Sequence, residues 1–308
     1  MSPLLRGLLK IHRWIAIVFS ILFLLVIVSG MVLAFKPVVD AQTTERIAVP
    51  TLIKALNAAD PAGKAGAVAI AGDASVFSLS GRGRGPSGNF DMQSGTKLSE
   101  AGFDLFSFTR RLHENLLIGA DWLVTATTIA MVFLIVSGLF FGWRTLRNNA
   151  TGWHLGLGWL SLPLLALTPV TGLLMAFHLG MPQLPDYTPA SRPLPLAEAI
   201  TIASQHADLS GLSLARNFRA GAVMLTTRTD SGNAQYIVSG SGEFRSMSGP
   251  GWVRSLHEGT WAGAWSGILT LISTFPLLGL MGTGLWTWWR RTQQRRARRP
   301  AVAGQAHA

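Results

Sequence analysis

The chain has 308 residues, of which 49% are hydrophobic and only 13% are charged, and its formal net charge is +11. Soluble globular proteins carry about a quarter charged residues, so this composition indicates an integral membrane protein. The chain contains no cysteine, which excludes disulfides, iron–sulfur clusters, thiolate zinc sites and covalently attached c-type haem.

Four apolar runs are long enough to cross a bilayer, which takes about 20 apolar residues. They cover residues 15–35, 122–143, 155–177 and 262–289, and none contains Asp, Glu, Lys or Arg. We therefore predict an α-helical membrane protein with four transmembrane helices. The first run is longer than the apolar region of a signal peptide and no convincing cleavage site follows it, so we expect an uncleaved anchor.

The predicted organisation alternates helices with larger segments. It runs as 1–36 (N-terminus and first transmembrane helix), 37–120 (first α+β domain), 121–145 (second helix), 146–153 (short loop), 154–178 (third helix), 179–260 (second α+β domain), 261–290 (fourth helix) and 291–308 (basic tail). Each large segment starts with a helical pattern, at residues 51–57 and 196–203, and continues with short strand patterns and turns. We expect two separate small α+β domains.

Basic residues flank the apolar runs on one side of the predicted topology. They are Arg6, Lys10 and Arg13 before the first run, Arg144 and Arg147 between the second and third, and six arginines after the fourth. The positive-inside rule places these flanks, with both termini, in the cytoplasm and both α+β segments outside. The flanks explain most of the net charge, so we expect the lipid bilayer, and no nucleic acid, as a partner.

The second half of the chain repeats the first, and the repeat includes histidines. His12-Arg13-Trp14 opens the first apolar run, and Trp153-His154-Leu155 opens the third, with residues 12 and 154 being 142 positions apart. Each repeat unit has two spans, so both units insert the same way up as parallel repeats, and matching residues lie at one depth. This pair suits bis-imidazole ligation of a haem iron; a role as interfacial anchors is the alternative.

A second histidine pair lies in a repeated Leu-His-Glu motif. His113 precedes the second run and His257 precedes the fourth, 144 positions later. The topology places this pair at the opposite membrane face, where we predict a second ligand pair; a structural cap at the domain junction is the alternative. The neighbouring Glu114 and Glu258 are candidate partners for the second ring nitrogens.

Other residues near these motifs are candidates for supporting roles. Arg13, Arg110, Arg111 and Arg254 are suitable partners for haem propionates. His178 follows the third run, where its repeat counterpart is Lys36, so it is a less favoured candidate: a substrate contact, an alternative ligand or an interfacial residue.

A Ser/Thr-Gly pair falls near the end of each apolar run. The pairs are Ser29-Gly30, Ser137-Gly138, Thr171-Gly172 and Thr283-Gly284. Small residues let helix backbones, or a flat porphyrin, approach closely. Plain helix packing is the favoured interpretation of these glycines.

The histidine frame resembles the PepSY-associated transmembrane family of bacterial inner-membrane proteins. The resemblance covers nearly the whole chain, and residues 195–200, 236–238 and 242–243 look like a PepSY module. Members near iron-uptake systems include periplasmic ferric-siderophore reductases with b-type haem. The resemblance implies a bacterial inner-membrane location, one or two b haems with two expected, and periplasmic α+β domains.

This resemblance implies electron transfer to ferric siderophore or ferric iron outside. The chain has no Rossmann fingerprint and no room for a flavin domain in its short loops, so the electron donor is a quinol or a separate reductase. The alternative is a non-enzymatic PepSY membrane module that binds peptides or regulates a protease. A metal transporter is disfavoured because the spans lack acidic residues for a cation pathway.

Overall fold

The computed structural model describes residues 2–42, 45–70, 72–81, 85–99, 104–141, 148–180, 185–190, 192, 194–229, 232–247 and 251–303. The chain divides into two compact units. The helical unit comprises Met1–Phe35, Phe106–Leu179 and Ile268–Ala308, and the sheet unit comprises Lys36–Leu105 and Gly180–Gly267. Arg144 and Arg147, two of the basic residues that flank the apolar runs, lie outside the described residues.

The elements follow one another in this order: α1 (Pro3–Val18), α2 (Ser20–Ala34), α3 (Lys36–Gln42), α4 (Val49–Ala59), β1 (Ala65–Ile70), β2 (Val76–Gly81), β3 (Gly88–Asp91), α5 (Leu105–Asn115), α6 (Asp121–Leu139), α7 (Ala150–Leu160), α8 (Leu162–Ala176), α9 (Leu196–Ser204), β4 (Leu212–Asn217), β5 (Val223–Thr229), β6 (Gly232–Val238), β7 (Phe244–Met247), α10 (Trp252–Glu258) and α11 (Gly263–Ala303). A short 3-10 turn at Arg219–Gly221 connects β4 to β5.

Within the described ranges, three helices are long and apolar enough to cross a membrane: Ser20–Asp40, Asp121–Leu139 and Gly263–Gln294. The pair α7 and α8 meets the same criterion only together, and the two helices are bent by 70° at their junction. The number of spans is therefore three, or four if the bent pair counts as one. Each span corresponds to an apolar run in the sequence.

The bend between α7 and α8 has a local cause. Ser161 at the junction has φ −99° and ψ 8°, and Pro163 stands in the first turn of α8. Proline has no N–H to continue the hydrogen-bond ladder of α7, and its ring disfavours helical geometry at the preceding residue. The break between α1 and α2 falls at Phe19, 142 positions before Ser161, with φ −90° and ψ 2°. The two breaks therefore occupy matching positions of the sequence repeat.

The core of the helical unit lies between the apolar helices. Its buried residues are Phe23, Ile27, Ala130, Met131, Leu165 and Leu277, from α2, α6, α8 and α11. Many other large apolar side chains are exposed; Trp122, for example, is 68% exposed. Such exposure suits helices whose outer surfaces face lipid hydrocarbon, where apolar side chains cost nothing.

The strands of the sheet unit form one antiparallel sheet. Across the described residues it has seven strands in the order β3-β2-β1-β4-β5-β6-β7. The two sequence halves meet at β1 and β4, where Ala67, Val68 and Ala69 pair with Arg216, Ala215 and Leu214. The second half repeats the first here too, because β4 starts at residue 212 and β1 at residue 65, 147 positions apart.

This sheet corrects the expectation of two separate α+β domains. The segments 37–120 and 179–260 share one sheet, and together with α4 and α9 they share one core. A small sheet with an exposed edge is marginally stable and prone to pairing. The edges of β1 and β4 satisfy each other's backbone groups, which gives a physical reason for one merged domain.

The core of the sheet unit lies between one face of the sheet and the two helices α4 and α9. Leu52 of α4, Ile200 of α9, Phe77 of β2 and Leu225 of β5 are all 0% exposed. Pro50 in the first turn of α4 begins that helix, since proline suits a position where no backbone donor is needed. Residues from both halves therefore contribute to a single apolar cluster.

Candidate functional site

Three of the four repeat histidines lie in the helical unit, and each contacts a Ser/Thr-Gly pair. His12 on α1 places Nδ1 2.7 Å from the hydroxyl oxygen of Ser137, near the end of α6. The ring of His12 also meets the ring of Phe141 edge-on, with centroids 5.3 Å apart. This contact joins two parts of the chain that are 125 residues apart.

His154 has an equivalent environment in the second half of the chain. Its Nδ1 lies 3.0 Å from the hydroxyl oxygen of Thr283 and 3.0 Å from the backbone oxygen of Leu280, both on α11. Residues 12 and 154 match in the repeat, and so do their partner helices α6 and α11. The hydrogen bonds of the two histidines therefore correspond as well, with Ser137 and Thr283 in matching positions.

His113 on α5 contacts the end of α2. Its Nδ1 lies 3.0 Å from the hydroxyl oxygen of Ser29 and 3.0 Å from the backbone oxygen of Val26. Ser29 is 17 residues after His12 in the same pair of helices. His113 and His12 are therefore held at opposite ends of the α1–α2 segment.

The protonation of Nδ1 follows from the acceptors around it. A backbone carbonyl only accepts hydrogen bonds, so Nδ1 of His154 and of His113 must carry the proton. The Ser137 hydroxyl is 3.1 Å from the backbone oxygen of Leu134 and donates to it, so its oxygen accepts from His12. In its neutral form, each of the three imidazoles is therefore the Nδ1–H tautomer, with the lone pair on Nε2.

This tautomer is the one that a metal-ligating imidazole uses when its second nitrogen is anchored by the protein. For His12 and His154, the described part of the chain supplies hydrogen-bond partners to Nδ1 alone. Their Nε2 atoms are therefore available to a ligand.

Two of the glycines provide space for these rings. A Cβ atom at Gly30 would lie 3.1 Å from Cε1 of His113, and one at Gly284 would lie 3.3 Å from Cε1 of His154. At Gly138, a Cβ would meet nothing within 4 Å. The glycines at 30 and 284 thus admit an imidazole to the helix surface, which the sequence interpretation as plain helix packing missed.

The sequence did not predict that the hydroxyl residues of the Ser/Thr-Gly pairs contact the histidines. Ser29 and Ser137 are each 2% exposed, and their hydroxyls turn towards a histidine. The repeated Ser/Thr-Gly pairs contained the signal. Ser29 follows His12 by 17 residues, and Thr171 follows His154 by the same number. This spacing does not indicate the partners, because His12 and His154 contact Ser137 and Thr283 on other helices.

Glu114 and Glu258 pair with arginines four residues earlier. The Arg110 guanidinium lies 3.7 Å from the Glu114 carboxylate, and Nε of Arg254 donates to Glu258 at 2.9 Å. For His113, hydroxyl and carbonyl oxygens of α2 take the role that the sequence had suggested for glutamate. The i,i+4 spacing explains the pairing, since such residues are neighbours on a helix surface.

The remaining candidates lie in varied surroundings. Arg13 is half-buried beside His12 on α1, and Arg111 is exposed on α5. His257 is half-buried on α10 in the sheet unit, followed by Gly259 in a left-handed conformation. His178 is exposed after the end of α8 and adopts a left-handed φ of 57°.

The surroundings of His12 favour its neutral form. His12 lies in α1, ahead of the spanning segment that begins at Ser20. Burial, followed by the nearby His154 and Arg13, lowers its pKa to about 4. A neutral imidazole is the form that binds a metal ion, because protonation removes the lone pair.

The described residues contain no group of three or more His, Cys, Asp or Glu side chains that would hold a bare metal ion. A haem iron needs only two axial ligands from the protein, since the porphyrin supplies four nitrogens. The donor set therefore consists of single imidazoles, each anchored through Nδ1.

A comparison with protein families identifies the chain. The model of the PepSY-associated TM region matches residues 9–291. The chain belongs to this family. The match spans all four repeat histidines and all four Ser/Thr-Gly pairs of this PepSY-associated transmembrane protein. No curated protein matches it.

Proposed function

We propose that this PepSY-associated protein is a b-type haem protein of the bacterial inner membrane that passes electrons outward to ferric siderophore or ferric iron. One observation carries the proposal. His12 and His154 each direct Nδ1–H to an oxygen of a neighbouring helix, so each presents Nε2 as a donor, and Nδ1 of His113 is anchored in the same way. His12 and His154, 142 positions apart, share this arrangement on the matching helices α6 and α11.

The ligand sets follow from the repeat. His12 and His154 form one pair, at the end of the helical unit where α1 and α7 begin. His113 belongs to the other end, and for His257 as its partner the proposal rests on the sequence repeat. Haem bound by two imidazoles supplies one-electron redox chemistry. Arg13, Arg110, Arg111 and Arg254 are the candidate propionate partners, with Arg110 and Arg254 shared with their glutamates.

The chemistry of the acceptor suits this role. Ferric iron is a hard ion held by siderophore oxygens, and ferrous iron binds those oxygens less well, so reduction releases it. Each Fe(III) takes up one electron. A quinol supplies two electrons and releases two protons as it becomes a quinone; a separate reductase is the other possible donor. Basic flanks such as Arg290 and Arg291 after the last span support cytoplasmic termini.

The reductase function predicts reoxidation by ferric chelates. Purified full-length protein, reduced anaerobically with dithionite and freed of excess reductant, should lose its sharp reduced α band when a ferric siderophore is added. Ferrous iron should appear at the same time, trapped by a ferrous-specific chelator. The gallium complex of the same siderophore is the control, since Ga(III) accepts no electron. Equal oxidation with gallium and iron, or none with either, contradicts the proposal.

The second candidate function is a non-enzymatic module that binds peptides or regulates a protease. A groove between α4 and α9 favours it, with cavities of about 360 and 770 Å³ that share Ile53, Asn57 and Thr201 as lining residues. This function requires no cofactor. Protein that is colourless when purified from haem-replete cells, yet binds peptides through this groove, would support it over the reductase.

A further inference from the structure

The three anchored histidines differ in how many acceptors hold them. In the described part of the chain, Nδ1 of His12 has one acceptor, the Ser137 hydroxyl at 2.7 Å. Nδ1 of His154 has two, the Thr283 hydroxyl and the Leu280 carbonyl, each at 3.0 Å. The anchorage of His12 therefore depends on one side chain, and that of His154 does not.

This difference matters because a side-chain hydroxyl can be removed by substitution and a backbone carbonyl cannot. The hydrogen bond from Nδ1–H fixes the tautomer and the orientation of the ring, and it makes Nε2 more basic. Without Ser137, the half-buried Nδ1–H of His12 has no acceptor among the described residues and is costly to leave unpaired. Without the Thr283 hydroxyl, His154 still donates to Leu280.

We propose that Ser137 is the positioning residue of His12, and that it sets the strength with which this imidazole donates to a haem iron. Thr283 has the same role towards His154 in a weaker form. The inference rests on the proposed function, because it concerns the same ligand pair. It goes further because it assigns the anchoring of His12 to the Ser137 hydroxyl and part of the anchoring of His154 to the Thr283 hydroxyl.

The sign of the effect on the reduction potential is fixed by chemistry. A hydrogen-bonded Nδ1–H gives the imidazole more electron density at Nε2, and a stronger donor favours Fe(III) over Fe(II). Loss of the Ser137 hydroxyl should therefore raise the potential of the haem that His12 holds. The effect of Thr283→Val should have the same sign and be smaller.

The test compares four variants of the full-length protein with wild type. Ser137→Ala removes the sole acceptor, Thr283→Val removes one acceptor of two, and Ser137→Thr keeps a hydroxyl and should restore wild-type behaviour. Ser273→Ala is the control, because Ser273 is 0% exposed and, among the described residues, its hydroxyl bonds only the Thr270 carbonyl of its own helix. The readouts are haem retained after purification, the potential of each haem by redox titration, and the electron paramagnetic resonance spectrum of the ferric protein.

Ser137→Ala is expected to weaken haem retention by roughly 10- to 100-fold, the range typical of lost partners of metal-ligating histidines. Any haem that remains in Ser137→Ala should have a raised reduction potential. The potential in Thr283→Val should lie between those of wild type and Ser137→Ala, and the potential in Ser273→Ala should equal that of wild type. If the wild-type protein binds haem but Ser137→Ala has the same haem retention and potential as Ser273→Ala, this inference is overturned and the proposed function still stands. Colourless wild type overturns both.

Discussion

Val68 of β1 lies directly opposite Ala215 of β4, and both residues are 0% exposed. This pair joins the first half of the chain to the second within one sheet. The two halves therefore share one core, and a destabilising substitution in one half should also lower the stability of the other.

The first prediction concerns that shared core. Leu52→Ala removes a fully buried side chain of α4 and should destabilise the sheet unit by about 2–5 kcal/mol. Amide hydrogen exchange should accelerate in β5 and β6 of the second half as well as in β1. The matched control is Leu98→Ala, because Leu98 is 37% exposed and its loss should cost less than about 0.5 kcal/mol. Faster exchange confined to β1, β2 and β3 would show two independent domains.

The second prediction concerns the space beside His154. A side chain at position 284 would collide with Cε1 of the imidazole, since even a Cβ lies 3.3 Å away. Gly284→Val should push the ring away from Thr283 and reduce haem retention by roughly 10-fold or more. Gly282→Val is the control on the same helix, because a Cβ there meets nothing within 4 Å. Equal losses in both variants would indicate a helix effect unrelated to the histidine.

The third prediction concerns the ion pair between Arg254 and Glu258. Both side chains are about a third exposed, at 31% and 30%, so solvent screens the pair. Glu258→Gln should lower the free energy of unfolding by no more than about 1 kcal/mol. Thermal melts of the purified variant check this, with Glu198→Gln as a control, since Glu198 is an exposed residue on α9. A loss of several kcal/mol would show that the glutamate has a larger structural role than its ion pair.

Much of the architecture could be predicted from the sequence. Three of the four apolar runs correspond to helices long and apolar enough to span a bilayer, and the fourth corresponds to the bent pair α7 and α8. The helical patterns at residues 51–57 and 196–203 lie within α4 and α9, respectively. The repeat predicted which histidines correspond, since equivalent residues keep their spacing whatever the fold.

The contacts between distant segments could not be predicted in this way. Strand periodicity shows which face of β1 is buried, but the pairing of its edge with β4 depends on the tertiary structure. The hydrogen bond from His12 to Ser137 likewise joins residues whose relation appears only when α1 packs beside α6. For His113, the sequence suggested the neighbouring Glu114 as a partner, whereas packing brings its Nδ1 to the Ser29 hydroxyl and the Val26 carbonyl.

The most direct test of the account is a visible spectrum with haem quantification on purified full-length protein from haem-replete cells. The account predicts a Soret band, a sharp reduced α band and b-type haem by the pyridine assay. His12→Ala and His154→Ala should each lose the same haem, and His206→Ala, which alters an exposed ring stacked on Phe244, should lose none. Colourless wild-type protein, or full haem content in both His12→Ala and His154→Ala, contradicts it.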